Sequence, residues 1–202
     1  MNKVYIHKTA EVSSEAKIGQ GTKIWNDTQV REKTKIGQNC ILGKNVYIDK
    51  GVEIGSNCKV QNNASIFQGA RLEEGVFIGP NVILANDKNP RAINPSGSLK
   101  KETDWKVGEV LIKKGASVGA SSVILPQVTV GQFATIGAGS VVTRNIPDFG
   151  LVYGNPARLC GFVCRCGHKA RKIKEEGKKV VLKCQKCKGT FKIDKNIYDQ
   201  IK

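Results

Sequence analysis

Aliphatic side chains recur at every sixth position along most of the chain. From residue 6 to residue 84 each of these positions holds Ile, Val or Leu, and the spacing returns later at Ile112, Val118, Ile124, Val130, Ile136 and Val142. Two residues before each one stands a small or β-branched residue, such as Ala10, Thr28 or Ala64. A period of six fits neither a helix nor an alternating strand. It predicts a solenoid of short strands and tight corners, in which three hexapeptides complete one triangular coil.

Stacked coils explain both the aliphatic ladder and the small residues beside it. Hydrogen-bonded strands lie about 4.8 Å apart, so equivalent residues of successive coils touch along the solenoid axis. Glycine often follows the aliphatic residue, as at Gly19 and Gly119, because a tight corner needs a permissive backbone. We therefore predict an all-β parallel β-helix over residues 1–158, with Cys40 and Cys58 as fillers of its core.

The ladder is interrupted over residues 86–110, NDKNPRAINPSGSLKKETDWKVGEV. This segment contains two prolines and is long for a loop within a compact repeat. Because it breaks an otherwise regular prism, we interpret it as a functional insertion. After Val142 the ladder ends in TRNIPDFGLVYGNPARLCGF, which predicts a short cap or helix over the open end.

The composition is that of a globular chain with a strong positive charge. The 202 residues include 33 Lys and Arg against 17 Asp and Glu, a formal net charge of +16, and 40% are hydrophobic. No stretch of about 18 apolar residues is present, which excludes a membrane-spanning helix. The start, MNKVYIHKTAEV, lacks the apolar core of a secretory signal. We expect a cytoplasmic protein whose seven cysteines bind metal or stay free thiols.

Residues 159–202 differ in composition from the solenoid and are expected to form a second, basic module. They hold thirteen Lys and Arg, four Asp and Glu, and five of the seven cysteines. The spacing of four cysteines resembles a zinc ribbon, in which paired thiolates supply four tetrahedral ligands: Cys164, Cys166, Cys184 and Cys187. Cys160 and His168 are possible substitutes. A structural zinc would stabilise so small a module; a metal-free β-hairpin with exposed thiols is the alternative.

Polar residues gather where the insertion begins. Asn63 and Gln68 lie on the coils before it, and Asn86 and Asp87 stand at its root. Gln68 and Asn86 are separated by one coil, so we expect them to be stacked neighbours. The alternatives are structural: a corner Asn in the left-handed region, and an Asx turn at Asp87. The two histidines, His7 and His168, are too few for the three-histidine zinc centre of a γ-class carbonic anhydrase, and neither is near the insertion.

Several stretches together carry a family resemblance. They are GTKIWNDTQV, IGSNCKVQNNASIFQGARLEEGVFIGPNVILANDKNPRA and VGASSVILPQVTVGQFATIGAGSVVTRNIPDFGLVYGNPAR. Residues 1 to about 162 resemble UDP-2-acetamido-3-amino-2,3-dideoxyglucuronate N-acetyltransferases and related enzymes of surface-polysaccharide (lipopolysaccharide) synthesis. This resemblance implies a left-handed coil. The chain departs from those relatives at Trp25-Asn26-Asp27, where they commonly carry Trp-His-Phe.

The resemblance also implies the substrates and the assembly. The protein would be a homotrimer with active sites between neighbouring prisms, and Asn63, Gln68 and Arg91 would contact the nucleotide-linked amino sugar. Acetyl-CoA would lie along the later coils, beside these residues: Ala120, Ala138, Arg144, Asn155 and Arg158. Among these contacts, the arginines suit phosphate groups because of their planar donor fork.

Acetyl transfer to an amine can proceed here without histidine. The amine must be neutral and correctly placed at the thioester, which is mainly positioning work. We predict that Asn86 orients the amine and that Asp87 accepts its proton, directly or through water.

Three functions follow, of which the first is preferred over the other two. The first is an acetyl-CoA-dependent N-acetyltransferase acting on a UDP-linked 3-amino-uronate, with a dTDP-linked 3-amino-6-deoxyhexose as the alternative acceptor. The second is a nucleic-acid-binding protein that uses the basic tail; it is disfavoured because Phe162, Phe191 and Tyr198 are the tail's only aromatic residues. The third is a non-catalytic scaffold, which leaves the insertion without a role.

Overall fold

The computed structural model describes residues 3–201, and within them it is an all-β parallel solenoid with one short α-helix. This confirms the predicted fold class. The solenoid strands, in chain order, are β1 (Tyr5–Ile6), β2 (Glu11–Val12), β3 (Lys17–Ile18), β4 (Lys23–Ile24), β5 (Gln29–Val30), β6 (Lys35–Ile36), β7 (Ile41–Leu42), β8 (Tyr47–Ile48), β9 (Glu53–Ile54), β10 (Lys59–Val60), β11 (Ser65–Ile66), β12 (Ala70–Leu72), β13 (Phe77–Ile78), β14 (Ile83–Leu84), β15 (Val110–Ile112), β16 (Ser117–Val118), β17 (Val123–Ile124), β18 (Val128–Val130), β19 (Thr135–Ile136) and β20 (Val141–Val142).

These strands form the three faces of a prism. Face 1 contains β1, β4, β7, β10, β13, β16 and β19; face 2 contains β2, β5, β8, β11, β14, β17 and β20; face 3 contains β3, β6, β9, β12, β15 and β18. Neighbouring strands are parallel and pair residues one coil apart, as Ile6 with Ile24 and Ile24 with Leu42. Below, corner 1–2 is the edge that contains residues 61–63 and 119–121, corner 2–3 contains 49–51 and 67–69, and corner 3–1 contains 37–39 and 131–133.

The aliphatic ladder fills the interior of the prism. Every ladder residue from Ile24 to Val142 is buried, with at most 3% of its surface exposed. The ladder residues of the first coil are less buried, because coils pack against them on one side: Ile6 is 45% exposed, and Val12 and Ile18 are half-buried. Burial of one such side chain contributes about 1.5–3 kcal/mol, so the ladder is the main source of stability of the solenoid.

The small inward residues also hold successive coils together. The Thr28 hydroxyl is fully buried and donates a hydrogen bond of 2.6 Å to the carbonyl of Gly43, fifteen residues further on. Thr22 makes the equivalent bond to Gly37. The thiol of Cys40 replaces the hydroxyl with a bond of 3.1 Å to the carbonyl of Gly55. Each coil therefore satisfies a corner carbonyl of the next coil from the inside, so the predicted core fillers are also hydrogen-bond donors.

The C-terminal part continues face 1 as an antiparallel sheet. Its elements are β21 (Gly150–Gly154), β22 (Ala157–Val163), β23 (Lys169–Glu176), β24 (Lys179–Cys184), β25 (Thr190–Asp194) and α1 (Lys195–Tyr198). β21 pairs in parallel with β19, and β22 to β25 follow in antiparallel order. The end of the prism is therefore covered by strands and not by the helix that we considered. β22 crosses position 158, where the sequence suggested a domain boundary.

A second, small core anchors this module. Phe162, Val180, Leu182 and Ile193 are buried together. An aromatic stack links the module to the last coils, because Phe149 lies 5.6 Å from the ring of Phe133 and 4.8 Å from the ring of Phe191. The module and the prism are thus packed directly against each other.

Candidate functional site

The insertion leaves the prism at corner 2–3 and returns to the same point. Residues that pair between successive coils normally lie 18 positions apart in the sequence, as Ile66 and Leu84 do. Leu72 instead pairs with Ile112, so this coil contains 22 additional residues. The excess lies between Asn86 and Gly108, whose backbone N–H donates to the Asn86 carbonyl at 2.7 Å. Val110 already belongs to strand β15, so the loop is slightly shorter than we predicted.

Asn86 and Asp87 are both half-buried at this root. The Asp87 carboxylate accepts a hydrogen bond of 2.8 Å from the N–H of Asn89, the Asx turn that we considered as its structural role. This bond uses Oδ1, and within residues 3–201 no hydrogen bond is made by Oδ2 or by the Asn86 side-chain amide. The turn and a chemical role for Asp87 are therefore compatible.

A cavity of about 350 Å³ lies between the insertion and the coil above it. Its lining includes Asp87 and Trp105 from the loop and Gln127 from corner 2–3. Three lysines, Lys88, Lys100 and Lys106, line it as well. The cavity thus combines two carboxylates, Asp87 and Asp104, with a half-buried aromatic ring and three lysines, which suits a ligand with both a ring and phosphate groups.

A second set of residues ties the insertion to the earlier coils, and sequence analysis missed it. The insertion contains a 3₁₀ turn, Glu102–Asp104, and the Glu102 carboxylate accepts a hydrogen bond of 2.8 Å from Lys50 Nζ. Each partner stabilises the charge of the other, so the pKa of Glu102 is lowered and the pKa of Lys50 is raised. The residues are 52 positions apart, and no spacing rule connects them.

Lys50 belongs to a hydrogen-bonded network at corner 2–3. Asp49 accepts bonds from the Lys50 N–H at 2.8 Å, from the Gln68 N–H at 3.1 Å and from the Tyr47 hydroxyl at 3.0 Å. Burial, together with the nearby Asp49 carboxylate, raises the pKa of Tyr47, so this hydroxyl remains a donor over the whole neutral range. Arg31 joins the network because its guanidinium donates to the Tyr47 hydroxyl at 3.4 Å and lies 3.8 Å from the Asp49 carboxylate, and it also pairs with Glu32. The charges at the root of the insertion are therefore paired.

The other predicted acceptor-site residues are divided between two corners. Gln68 and Asn86 occupy corner 2–3 in successive coils, as their spacing predicts. Asn63 lies at corner 1–2, in the left-handed conformation (φ 61°), with its side chain bonded to Asn45 in the coil below. Five residues of extended chain, about 15 Å, separate Asn63 from Gln68. Arg91 is exposed on the insertion, where its guanidinium bonds to the carbonyl of Pro90. One chain alone does not bring these four residues together.

The predicted acetyl-CoA residues lie mostly along corner 1–2. Ala120 and Ala138 occupy equivalent positions in successive coils, where the Ala120 carbonyl accepts from the N–H of Gly139 at 2.8 Å. The coils approach so closely here that a Cβ on Gly119 would stand 2.5 Å from the Ala138 nitrogen. A residue with a side chain at position 119 would therefore collide with the next coil.

Three further residues were predicted to contact acetyl-CoA. Asn155 is exposed in the turn between β21 and β22, at the end of corner 1–2. Arg158 follows it on β22, with its guanidinium 3.2 Å from the Ala157 carbonyl. Arg144 is exposed at corner 2–3 and is thus separated from the other four.

The four predicted cysteine ligands converge in the C-terminal module. The sulfur atoms of Cys164, Cys166, Cys184 and Cys187 all lie within 4.8 Å of one another. Cys160 is not one of the cluster, because its thiol bonds to the Arg158 carbonyl, and His168 stands beside the cluster at 3.7 Å from Cys166 Sγ. Our two substitute ligands are therefore not needed.

Hydrogen-bond donors within the cluster favour the thiolate form of Cys184. Burial raises the pKa of the Cys184 thiol, but N–H donors from Cys187 and Lys186 and the adjacent Cys166 thiol outweigh burial and bring the pKa to about 6. Sγ to Sγ distances are 3.5 Å for Cys164 with Cys187 and for Cys166 with Cys184. Four cysteine sulfurs at such distances can hold a tetrahedral metal ion.

The fold and the inserted loop define a hexapeptide-repeat β-solenoid. The model of the hexapeptide repeat of succinyl-transferase matches residues 33–68 and 110–144. Within residues 3–201 no helix is long and apolar enough to cross a membrane.

Sequence comparison adds two particular relatives. The chain is 56% identical over 66 residues to the dTDP-3-amino-3,6-dideoxy-alpha-D-galactopyranose 3-N-acetyltransferase of Aneurinibacillus thermoaerophilus, which is 33% of this chain and 34% of that one. It is 38% identical over 85 residues to the serine acetyltransferase of Buchnera aphidicola, which is 42% of this chain and 32% of that one. The chain thus spans about a third of the length of these curated relatives.

Two solved structures share the architecture. The acetyltransferase domain of PglB from Neisseria gonorrhoeae, in complex with acetyl coenzyme A, has a TM-score of 0.50 at 25% identity and covers 77% of this chain and 57% of that one. A variant of AntD, an N-acyltransferase from Bacillus cereus in complex with dTDP and coenzyme A, has a TM-score of 0.52 at 21% identity and covers 81% and 85%. At this identity the second match shows the fold alone.

Proposed function

We propose that this protein is an acetyl-CoA-dependent N-acetyltransferase that acts on the amino group of a nucleotide-linked sugar. The observation that carries the proposal is the cavity between the insertion and the following coil, with the Asp87 carboxylate in its wall. The matched N-acetyltransferase and the acetyl-coenzyme A complex of a similar fold support the same chemistry.

The acceptor that we favour is a dTDP-linked 3-amino-deoxyhexose. This was the alternative in the sequence analysis, and the segment that is 56% identical to a dTDP-3-amino-3,6-dideoxygalactose enzyme moves it ahead of a UDP-linked uronate. The lysines of the cavity wall, Lys88, Lys100 and Lys106, provide positive charge for the diphosphate that both acceptors contain. Trp105 offers an aromatic surface for a base or sugar ring.

Asp87 is the proposed base. In the transfer, the amine nitrogen bonds to the thioester carbonyl carbon, the carbon–sulfur bond breaks, and the amine loses a proton. The Asx turn holds the Asp87 carboxylate by one oxygen, so the other can accept that proton directly or through water. The departing thiolate takes up a proton afterwards and leaves as coenzyme A. The Asn86 amide at the loop root would orient the incoming amine.

A homotrimer would complete the site. Asn86 and Asp87 lie at corner 2–3, whereas Ala120, Ala138 and Asn155 lie at corner 1–2. A second prism placed with its corner 1–2 against corner 2–3 of the first would unite the two sets. Such a contact closes after three copies in a triangular arrangement. Sedimentation at three times the 21.9 kDa chain mass would agree with it.

A structural zinc ion is proposed for the cysteine cluster. Four sulfurs at about 2.3 Å from a common ion stand about 3.8 Å apart, close to the 3.5 Å of the two short pairs. Zinc would link the turn after β22 to the turn after β24. It would thereby stabilise a module whose own hydrophobic core is small.

The test is thiol release from acetyl-CoA in the presence of dTDP- and UDP-linked amino sugars, with mass spectrometry of the products. Release with the dTDP-linked 3-amino-deoxyhexose alone would support both the reaction and the acceptor. Release with the UDP-linked uronate alone would support the reaction and overturn the acceptor. Absence of release together with absence of acetyl-CoA binding would overturn the proposal.

A further inference from the structure

Charges in the C-terminal module are segregated along its sheet. Strands β23, β24 and β25 run antiparallel, so residues 169–171, 183–188 and 190 lie at the end that holds the cysteine cluster. We call this the metal end. Residues 175–179 and 194–199 lie at the opposite end, and they include all four acidic residues of the module.

Acidic groups at that opposite end neutralise the nearby lysines. Five ion pairs are formed there by Glu175, Glu176 and Asp194: Lys172–Glu175, Lys174–Glu176, Lys179–Asp194, Lys192–Glu176 and Lys195–Glu175. The opposite end is therefore close to electrically balanced, although the module as a whole is strongly basic.

The metal end is not balanced. Six exposed cations surround it, and within residues 3–201 none of them has an acidic partner: Arg165, Lys169, Arg171, Lys183, Lys186 and Lys188. Arg171 and Lys183 stand directly opposite each other on neighbouring strands. Like charges in this position destabilise a sheet, and an anion bound across them would relieve the repulsion.

The cysteine cluster accounts for only part of this charge. A zinc ion held by four thiolates has a net charge of −2, which balances two of the six cations. The remaining excess faces solvent, because all six side chains are exposed. Their number therefore exceeds what the metal site needs.

The metal end is also separate from the proposed acetyl-transfer site. Arg165, between two cluster cysteines, lies 5.3 Å above the ring of Phe133 at corner 3–1. Strand β22 begins at corner 1–2, beside Asn155, and ends at the cluster. The cations are thus placed across the end of the prism from corner 1–2 and from the insertion at corner 2–3.

We propose that the metal end binds the phosphate backbone of double-stranded nucleic acid, as a second function beside acetyl transfer. Six unpaired cations match a dense, regular array of phosphates. No large hydrophobic side chain is exposed in residues 164–171 or 183–190, which disfavours stacking with unpaired bases and insertion into a lipid surface. The contacts are to the backbone, so binding is independent of base sequence.

The experiment compares two double variants of the 202-residue protein, purified in the presence of zinc. Arg171→Gln with Lys183→Gln removes two charges at the metal end. Lys59→Gln with Lys178→Gln removes two exposed charges elsewhere, on face 1 of the prism and at the opposite end of the module. Binding to a short labelled DNA duplex is measured by fluorescence anisotropy over a salt series. Zinc content, circular dichroism and acetyl-transfer rate are recorded for each variant.

The unsubstituted protein is expected to bind duplexes of unrelated sequence, with affinity falling as salt rises at a logarithmic slope of about −5. The metal-end variant should reduce the magnitude of that slope by about 2, while the matched control should leave it unchanged. Zinc content and acetyl transfer should be retained by both.

Four outcomes would overturn the proposal. They are no binding to duplexes, equal weakening by both variants, loss of zinc from the metal-end variant, and binding to vesicles of anionic phospholipid or to polyglutamate in preference to the duplex. The third would assign these cations to the metal site instead. If Gln at both positions impairs folding, Lys183→Gln alone should reduce the slope by about 1.

Discussion

Lys50 Nζ lies 2.8 Å from the Glu102 carboxylate and so joins the inserted loop to a coil 52 residues earlier in the chain. The cavity with Asp87 in its wall lies between this loop and the following coil. The backbone N–H of Lys50 donates to the Asp49 carboxylate at 2.8 Å, so the residue that pairs with the loop also belongs to the network at corner 2–3. We expect the pair to help position Trp105 and the cavity lysines.

Glu102→Gln should weaken acceptor binding with little effect on kcat. The Glu102 side chain is largely exposed, so loss of the pair should raise KM only a few-fold. Steady-state kinetics with saturating acetyl-CoA measure both constants. Glu15→Gln removes an exposed carboxylate in the first coils and is the matched control. A fall in kcat without a change in KM would contradict a role in holding the loop.

The loop tether should respond to pH at its two extremes. The folded-state pKa of Glu102 is below its ordinary 4.5, so this carboxylate stabilises the tether above pH 4.5, and the contribution is lost as pH falls through the folded pKa. Lys50 has a pKa raised above 10.5, so its contribution is complete below pH 10.5 and is lost as pH rises through the folded pKa. Trp105 fluorescence in a Trp25→Phe background should therefore be constant between these limits. A transition near neutral pH would contradict this.

Thr28→Val should destabilise the solenoid by about 1–3 kcal/mol, because the carbonyl of Gly43 loses its buried donor. Thr28→Ser keeps the hydroxyl, so its effect on the free energy of unfolding should be smaller. Thr135→Val is the control, since the Thr135 hydroxyl is half-buried on face 1 and makes no hydrogen bond within residues 3–201. Urea denaturation measures the three free energies of unfolding. Equal effects at positions 28 and 135 would show that the inward bond is unimportant.

Asp87→Asn should lower kcat by about 10²–10⁴-fold if this carboxylate accepts the amine proton. The Asn side chain can still accept the bond from Asn89, so the turn is kept. Asp148→Asn is the control, because Asp148 likewise accepts a backbone N–H, from Gln132 at 2.8 Å, but lies at the end of the prism. A variant with normal kcat and an unchanged pH profile would exclude Asp87 as the base.

Removal of the proposed zinc ion should loosen the C-terminal module while the prism stays folded. With a chelator, or in Cys184→Ser, amide exchange should accelerate over residues 157–194 and remain slow at ladder residues such as Ile66. Cys160→Ser should keep its metal, since the Cys160 thiol points to the Arg158 carbonyl. Uniform exchange in all three proteins would show that the cluster does not hold a structural metal.

Much of the architecture could be predicted from residue spacing. The six-residue ladder required a prism because each aliphatic position needed a partner one coil away, and residues such as Ile24 and Leu42 do pair in this way. The cysteine cluster was also predictable, because two pairs of closely spaced cysteines are typical of a zinc ribbon. Both features are local patterns that repeat, and a repeating pattern leaves few alternatives.

The arrangement around the insertion could not be predicted in the same way. Lys50 and Glu102 lie far apart in sequence, and only the path of the loop brings them together. The split of Asn63 and Asn86 between two corners was equally hidden, because a list of polar residues does not say which edge of the prism each one occupies. The Asx turn through Asp87 Oδ1 and a chemical role for Asp87 were the two alternatives from the sequence. The carboxylate has two oxygen atoms and can therefore serve in both.

The sequence by itself determined the solenoid, the place of the insertion and the set of four cysteines, because each depends on spacing along the chain. The tertiary structure decided which cations remain without acidic partners, and it showed that the ones around the cluster are separated from the carboxylates of the module. It also decided that the end of the prism is closed by strands and not by a helix. The physical reason is that ion pairing and capping depend on side chains and backbones that meet only after the chain has folded back on itself.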